Sequence, residues 1–93
     1  MRTIERTNQL KRDYKREMKG KHRSTLEDDF RLVIMLLVSD QLLPERYRDH
    51  ALTGNWREFR DCHIKPDLVL IYQKPDEERL VLARLGSHGQ LGL

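Results

Sequence analysis

The chain has a single cysteine, Cys62, in 93 residues, which excludes an internal disulfide and any cysteine-based metal cluster. It lacks an apolar run of the ~18 residues that a membrane span needs. Its opening residues, Met1 to Arg6, carry charge where a secretory signal would be apolar. The expected setting is therefore a reducing cytoplasm, with no membrane association. Glycine is scarce, with five in all, and none forms a phosphate-cradling loop or a G-x-S-x-G nucleophile elbow. The histidines form no HxH or HxxxH pair, so no metal and no cofactor is expected, although three histidines with an aspartate can in principle ligate zinc. Internal repeats and low-complexity stretches are absent. What is present, 38% hydrophobic against 35% charged residues, suits one folded domain over residues 1–93 with a modest core.

The charge is uneven. The chain carries +3 overall, but residues 1–24 hold nine Lys/Arg against three acids, a net +6, and the remainder is −3. A basic N-terminal portion suggests an anionic partner, nucleic acid or an acidic protein; a solvated, charge-rich helix face accounts for it equally well.

Residues 2–6 read as a short edge strand. Thr7 can cap a helix running to about Lys19, with Gly20 to end it and a narrow apolar stripe of Leu10, Tyr14 and Met18. After the basic linker Lys21 to Arg23, Ser24 and Glu27 fit a capping box. The second helix presents Leu26, Phe30, Val33, Ile34 and Leu37 on one face and ends near Ser39–Asp40. Pro44 to Tyr47 reads as a helical turn with proline in its first position, and residues 48–55 as a loop. Trp56 to His63 alternates, which places Trp56, Arg60 and Cys62 on one face and Phe59, Asp61 and His63 on the other. Leu68 to Tyr72 reads as a central strand buried on both sides, and Arg79 to Leu85 as the last strand, joined by a charged hairpin. Gly86-Ser87-His88-Gly89 breaks that strand before a short tail. The order β-α-α-β-β-β predicts an α+β fold, with two N-terminal helices packed on a twisted antiparallel sheet.

Three of the four histidines, His50, His63 and His88, lie in or after this strand region, with Asp67 beside the Lys65–Pro66 turn; His22 in the linker looks incidental. Cleavage of RNA by its own 2′-hydroxyl needs a base for that hydroxyl, an acid for the departing 5′-oxygen and positive charge on the phosphorane. Histidine serves as either proton partner near neutral pH. If the loops bring these residues to one end of the sheet, that chemistry is available, with His63 and Asp67 close across their shared turn. Each residue also has a plainer role: a structural histidine, Asp67 as a turn residue bonding its own backbone, Arg60 paired with Asp61 or Glu58, Trp56 and Tyr72 as core.

The run Asp49-His50-x-Leu52-x-Gly54-x-Trp56-x-x-x-Arg60-Asp61-x-His63-Ile64-x-Pro66-Asp67-x-x-Leu70-Ile71-Tyr72, resumed at Leu82-x-Arg84-x-Gly86-Ser87-His88, resembles the YafQ branch of the RelE/ParE toxin superfamily. Length, element order and the basic N-terminal helix agree with it across nearly the whole chain. The resemblance implies a fold like that of the small microbial ribonucleases. It implies a type II toxin that enters the ribosomal A site and cuts mRNA without a metal, leaving a cyclic or 3′-phosphate and a 5′-hydroxyl. It implies His50, His63, Asp67 and His88 as the catalytic set, with His88 the general acid and His50 or His63, helped by Asp67, acting on the 2′-hydroxyl. Arg60, Arg84 and Lys65 would contact phosphate, and Lys11, Lys15 and Lys19 ribosomal RNA. A small dimeric antitoxin, typically of ribbon-helix-helix type, is the implied partner, reaching operator DNA only as the complex. Two positions depart from the pattern: Leu68 stands where an aromatic residue is frequent, and Gly92 where relatives commonly carry Phe.

Two other readings belong to different classes. A ParE-like gyrase poison shares the superfamily fold but has no need of the histidine set. A non-catalytic nucleic-acid-binding or regulatory module would bind in a steeply salt-dependent way and cut nothing.

Overall fold

Thr7 starts the first helix as its composition suggests: its side-chain oxygen accepts from the Leu10 N–H at 3.0 Å and its hydroxyl donates to the Ala83 carbonyl at 2.7 Å, fastening the helix start to the last strand. In the computed structural model, which describes residues 1–93, the regular elements are β1 (Thr3–Arg6), α1 (Asn8–Glu17), α2 (Leu26–Val38), β2 (His50–Ala51), β3 (Arg60–Lys65), β4 (Leu68–Gln73), β5 (Arg79–Gly86) and α3 (His88–Leu91). Single 3₁₀ turns occupy Glu45–Tyr47 and Gly54–Trp56. The strands form one sheet in the order β1-β5-β4-β3-β2. β2 to β5 run antiparallel to their neighbours, as the meander reading requires, whereas β1 joins β5 in parallel. The edge strand β1 is exposed along its length, and its charges Glu5 and Arg6 discourage pairing with another chain.

The alternation of β4 divides the core in two. Leu68, Leu70 and Tyr72 face the helices and meet Leu10, Leu26, Val33 and Leu37 there. Val69 and Ile71 face the other way, with Ala83 and Leu91, and are covered by Leu52, Trp56 and Phe59. Each buried Leu, Val or Ile side chain contributes about 1.5–3 kcal/mol, so β4, buried on both sides, is the strand whose truncation the fold tolerates least.

Several local expectations change. The Ser24–Glu27 capping box does not form. Thr25 holds the N-cap position with no side-chain cap bond, and its hydroxyl instead accepts from the Lys65 ammonium at 2.8 Å. β3 begins at Arg60 rather than Trp56, because Gly54 (φ +65°) turns the chain into a 3₁₀ turn. Trp56 is thereby removed from the Arg60 and Cys62 face and packs edge-on against Phe59, ring centres 5.1 Å apart. Residues 50 and 51, read as loop, pair with Asp61 and Arg60 as β2. The tail after β5 folds into the one-turn α3 through a complete capping box, in which Ser87 Oγ accepts from the Gln90 N–H at 3.2 Å and Gln90 Oε1 accepts from the Ser87 N–H at 2.8 Å.

Candidate active site

Three elements bring the histidines together. β2 supplies His50, directly opposite Asp61 on β3. β3 supplies His63, whose face of the sheet looks away from α1 and α2. The Ser87–Gln90 box sets His88 at the first position of α3. The His63 and His88 rings lie 5.1 Å apart, centre to centre. With His50 they line an open cleft of about 820 Å³ whose other walls are Glu45, Arg46, Arg48 and Asp49, polar throughout. His50 and His88 also border an adjoining hollow of about 520 Å³ floored by Leu52, Trp56 and Gly92.

The environments of the three imidazoles differ. His50 Nδ1 lies 2.8 Å from the Arg48 carbonyl and 3.0 Å from Asp61 Oδ1. Both neighbours are acceptors, so Nδ1 carries the hydrogen and Nε2 keeps a free lone pair. The Arg48 carbonyl is aimed at that nitrogen by a left-handed backbone at Arg48 (φ 50°, ψ 43°), a conformation that non-glycine residues adopt at a cost. His63 is shifted toward the neutral form by burial, reinforced by His88 and Arg48 and opposed by Asp61 and a bond to the Pro66 carbonyl. Asp61 is buried, and burial raises its carboxyl pKa against the pull of His50, His63 and His88. One imidazole shifted toward the neutral form, one of fixed tautomer and a third 5.1 Å from the first are groups that can take and give a proton near neutral pH.

The other expected site residues lie elsewhere. Asp67 is on the turn after β3, but its carboxylate faces away from the imidazole cluster, toward the linker between α1 and α2. It accepts from His22 at 2.8 Å and from Lys21, and these bonds draw its pKa down to about 2. His22, read as incidental, is thus the partner of Asp67. Lys65 is not free for phosphate, since its ammonium is bound by Asp29 and Thr25. Arg84 is turned inward onto Asp13, with Nε 2.8 Å from Oδ2, and is unavailable to a phosphorane. Arg60 donates to Asp49 at 3.2 Å, and the same carboxylate oxygen accepts from the Tyr72 hydroxyl at 2.5 Å, an anchor for the chain just before β2. Lys11 and Lys15 flank an apolar groove floored by Leu10, Phe30 and Ile34, on the opposite side of the sheet from the histidines, and Lys19 is exposed beyond the end of α1.

The cations that do face the cleft are Arg46 and Arg48. Sequence reasoning passed over them and Asp61, although the Arg48-Asp49-His50 run and the Asp61-x-His63 alternation placed Arg48 and Asp61 beside histidines. No three or more His, Cys, Asp or Glu side chains are arranged to hold a metal ion.

Comparison with known proteins gives the family. The family described as bacterial toxin of type II toxin-antitoxin system, YafQ, matches residues 2–92. The mRNA interferase toxin YafQ of Escherichia coli K12 is 36% identical over 91 residues, spanning 97% of this chain and 95% of that protein. The crystal structure of YafQ from E. coli BL21(DE3) superposes with a TM-score of 0.85 at 33% identity, covering 98% of both chains. The toxin chain of the E. coli DinJ–YafQ toxin–antitoxin complex does so with a TM-score of 0.83 at 34% identity, covering 97% of this chain and 96% of that one.

Proposed function

This chain belongs to the YafQ family of type II toxin–antitoxin toxins, and from that premise we propose that it is an endoribonuclease that cuts mRNA in the ribosomal A site by acid–base catalysis, without a metal, and so stops translation. The observation that carries this reading is the 5.1 Å approach of His63 and His88 beside His50 in a polar cleft. His50 Nε2 takes the 2′-hydroxyl proton, O2′ bonds to phosphorus, and the P–O5′ bond breaks as His88 gives its proton to O5′. His63, held toward neutrality, is the second imidazole on the base side. Arg46 and Arg48, at the cleft wall, stabilise the phosphorane charge. Asp67 joins this set only on release from Lys21 and His22. The basic surface of Lys11, Lys15 and Lys19 meets ribosomal RNA. The partner is a DinJ-like antitoxin, as in the E. coli complex, that reaches operator DNA as part of the pair, and the setting is the cytoplasm.

Purified protein added to translating 70S complexes on a defined mRNA, with and without EDTA, tests this by primer extension. Discrete A-site cuts are expected that survive EDTA, leave a 2′,3′-cyclic or 3′-phosphate, and fall by about 10²–10⁴-fold in His88→Ala. A folded, ribosome-bound protein that makes no cut overturns the enzymatic reading in favour of a binding module. Cuts lost in EDTA and restored by a divalent ion overturn the metal-free mechanism alone.

A further inference from the structure

Asp61 is 2% exposed, and its Oδ1 is buried with no hydrogen-bond partner. His50 Nδ1 is within 3.0 Å of that oxygen, but its N–H is directed at the Arg48 carbonyl. The charged and titratable groups that face Asp61 are His50 from β2, His63 from β3, His88 from α3 and the like charge of Asp49 ahead of β2. The contrast with Asp13, the other buried carboxylate, is informative. Asp13 is met by two guanidinium groups and a backbone N–H and serves as a structural anchor. Asp61 has only imidazoles, which are cationic only when protonated. A buried carboxylate without a permanent cation destabilises the fold, and a neutral side chain of similar size would avoid that loss. Its negative charge becomes favourable when an adjacent imidazole gains a proton, which is the event that begins RNA cleavage.

We propose that Asp61 is a positioning residue for that step: with the Arg48 carbonyl it holds His50 as the Nδ1–H tautomer, Nε2 toward the 2′-hydroxyl, and it stabilises the imidazolium formed when Nε2 takes the proton. The role in the reaction rests on the ribonuclease reading, whereas the tautomer claim concerns the free protein. As Nε2 takes the proton, Nδ1–H becomes the positive edge of the ring and is shared between the Arg48 carbonyl and Oδ1, so the orphaned oxygen gains its bond during the reaction. The proton leaves His50 for solvent in the reset, and Asp61 neither gains nor loses one. An asparagine at the same place can turn its amide N–H toward Nδ1, which favours the opposite tautomer and withdraws the base.

The test compares wild type with Asp61→Asn, Asp61→Glu and the double variant His50→Ala/Asp61→Asn. Nitrogen-15 shifts of the His50 ring in the free protein read the tautomer, and cleavage on 70S complexes is followed from pH 5.5 to 8.5. Wild type is expected as the Nδ1–H form, and Asp61→Asn as a mixture of tautomers. In Asp61→Asn, cleavage at pH 7 is at least tenfold slower, the acid limb of the rate profile is displaced, and the melting temperature is equal to or above that of wild type. Asp61→Glu, which restores the charge, recovers part of the rate, and the double variant is no slower than His50→Ala alone. Wild-type tautomer and rate profile in Asp61→Asn overturn the proposal, and so does an additive loss in the double variant. If wild type makes no cut at all, the ribonuclease reading fails, and the ring shifts still decide whether Asp61 sets the His50 tautomer. If Asp61→Asn does not fold, Asp61→Ala, which removes the carboxylate without offering an amide, supplies the same comparison of tautomer and profile.

Discussion

Asp13 and Arg84, 71 residues apart in sequence, meet at the junction of α1 and β5, with Arg84 Nε 2.8 Å from an Asp13 carboxylate whose side chain is wholly buried. The same oxygen, Oδ2, accepts from the Leu85 N–H at 3.0 Å, and Arg16 and Gln9 bond Oδ1. α1 is otherwise a charged helix with a narrow apolar stripe, so this ion pair does the fastening that a wider hydrophobic face would do. Removing Asp13 leaves the partly buried Arg84 and the Leu85 N–H without their acceptor, at about 3–5 kcal/mol. Asp13→Ala should therefore lower the melting temperature by well over 10 °C, given about 4–8 °C per kcal/mol for a domain of this size. Arg84→Ala should have a smaller effect, because Arg16, Gln9 and the Leu85 N–H still bond the carboxylate, and the double variant should lose less than the sum of the two.

The same carboxylate contributes to the acid limb of stability. Burial raises the Asp13 pKa, but the bonds from Arg84, the Leu85 N–H and Gln9 outweigh it, and the pKa in the fold lies below 3.8. A carboxylate depressed in the fold adds stability that is fully present above its unfolded pKa and lost as pH falls through the folded value. Urea titrations should thus show stability from Asp13 holding to about pH 5 and declining below pH 4. In Asp13→Asn that decline should be shallower, from a lower plateau.

The helices and the meander were legible for different reasons: α2 repeats its apolar residues at helical period, and β4 is a short, β-branched apolar run bounded by turn residues. β2 and α3 were not. A two-residue strand has no periodicity and exists because β3 offers it partners, and α3 is a single turn that depends on its cap. The Ser87-x-x-Gln90 spacing is present, but Gly86 before it and Gly89 within it read more strongly as a break. At the site, the gathering of His50, His63 and His88 followed from the motif, whereas the fates of the charged residues did not. Asp29 with Lys65, His22 with Asp67 and Asp13 with Arg84 are joined across 36 to 71 residues of chain, and no local pattern encodes such pairings. The sequence also does not disclose that Asp61 is buried while Asp67 is half-exposed.

The hold on Asp67 is open to direct measurement. Lys21 and His22 draw its pKa to about 2 from an ordinary 3.8. In Lys21→Ala/His22→Ala, the Asp67 carboxyl, followed by carbon-13 NMR through a pH titration, should return toward 3.8. If the carboxylate enters the reaction on release from these partners, the double variant should cut ribosomal mRNA at least as fast as wild type. An Asp67 value that stays near 2 would show that other groups hold it.

The lysines of the N-terminal portion should act on binding rather than on chemistry. Lys11, Lys15 and Lys19 are exposed and lie away from the histidine cleft. Each lysine that neutralises a phosphate contributes about one to the slope of log affinity against log salt. The triple alanine variant should therefore bind 70S ribosomes more weakly, with a salt slope shallower by up to about three. Cleavage measured at saturating protein should stay within a few-fold of wild type. A saturating rate that collapses in the triple variant would place these lysines in the reaction itself.

Gly86 connects the sheet to His88, the proposed general acid. A Cβ built there would lie 2.9 Å from Arg16 Nη2 and from Gln90 Oε1, closer than side-chain carbons approach. Both atoms end flexible side chains, which would normally make room at little cost, but both are engaged: Nη2 donates to the Leu85 carbonyl at 2.8 Å and Oε1 closes the capping box on the Ser87 N–H. Gly86→Ala should therefore open the box that sets His88 in place, with a stability loss of about 1 kcal/mol, typical of a lost N-cap. The expected drop in melting temperature is about 4–8 °C. Because His88 stands at the first position of α3, cleavage should fall by more than that small destabilisation implies at a temperature where the protein stays folded. Gln90→Ala should reproduce the loss, since it removes the same bond from the other side. In the pair Gly86→Ala/Gln90→Ala the second change should add little, because the box is already open. An additive result, or full activity in Gly86→Ala, would mean that His88 is held by its contact with His63 rather than by the cap.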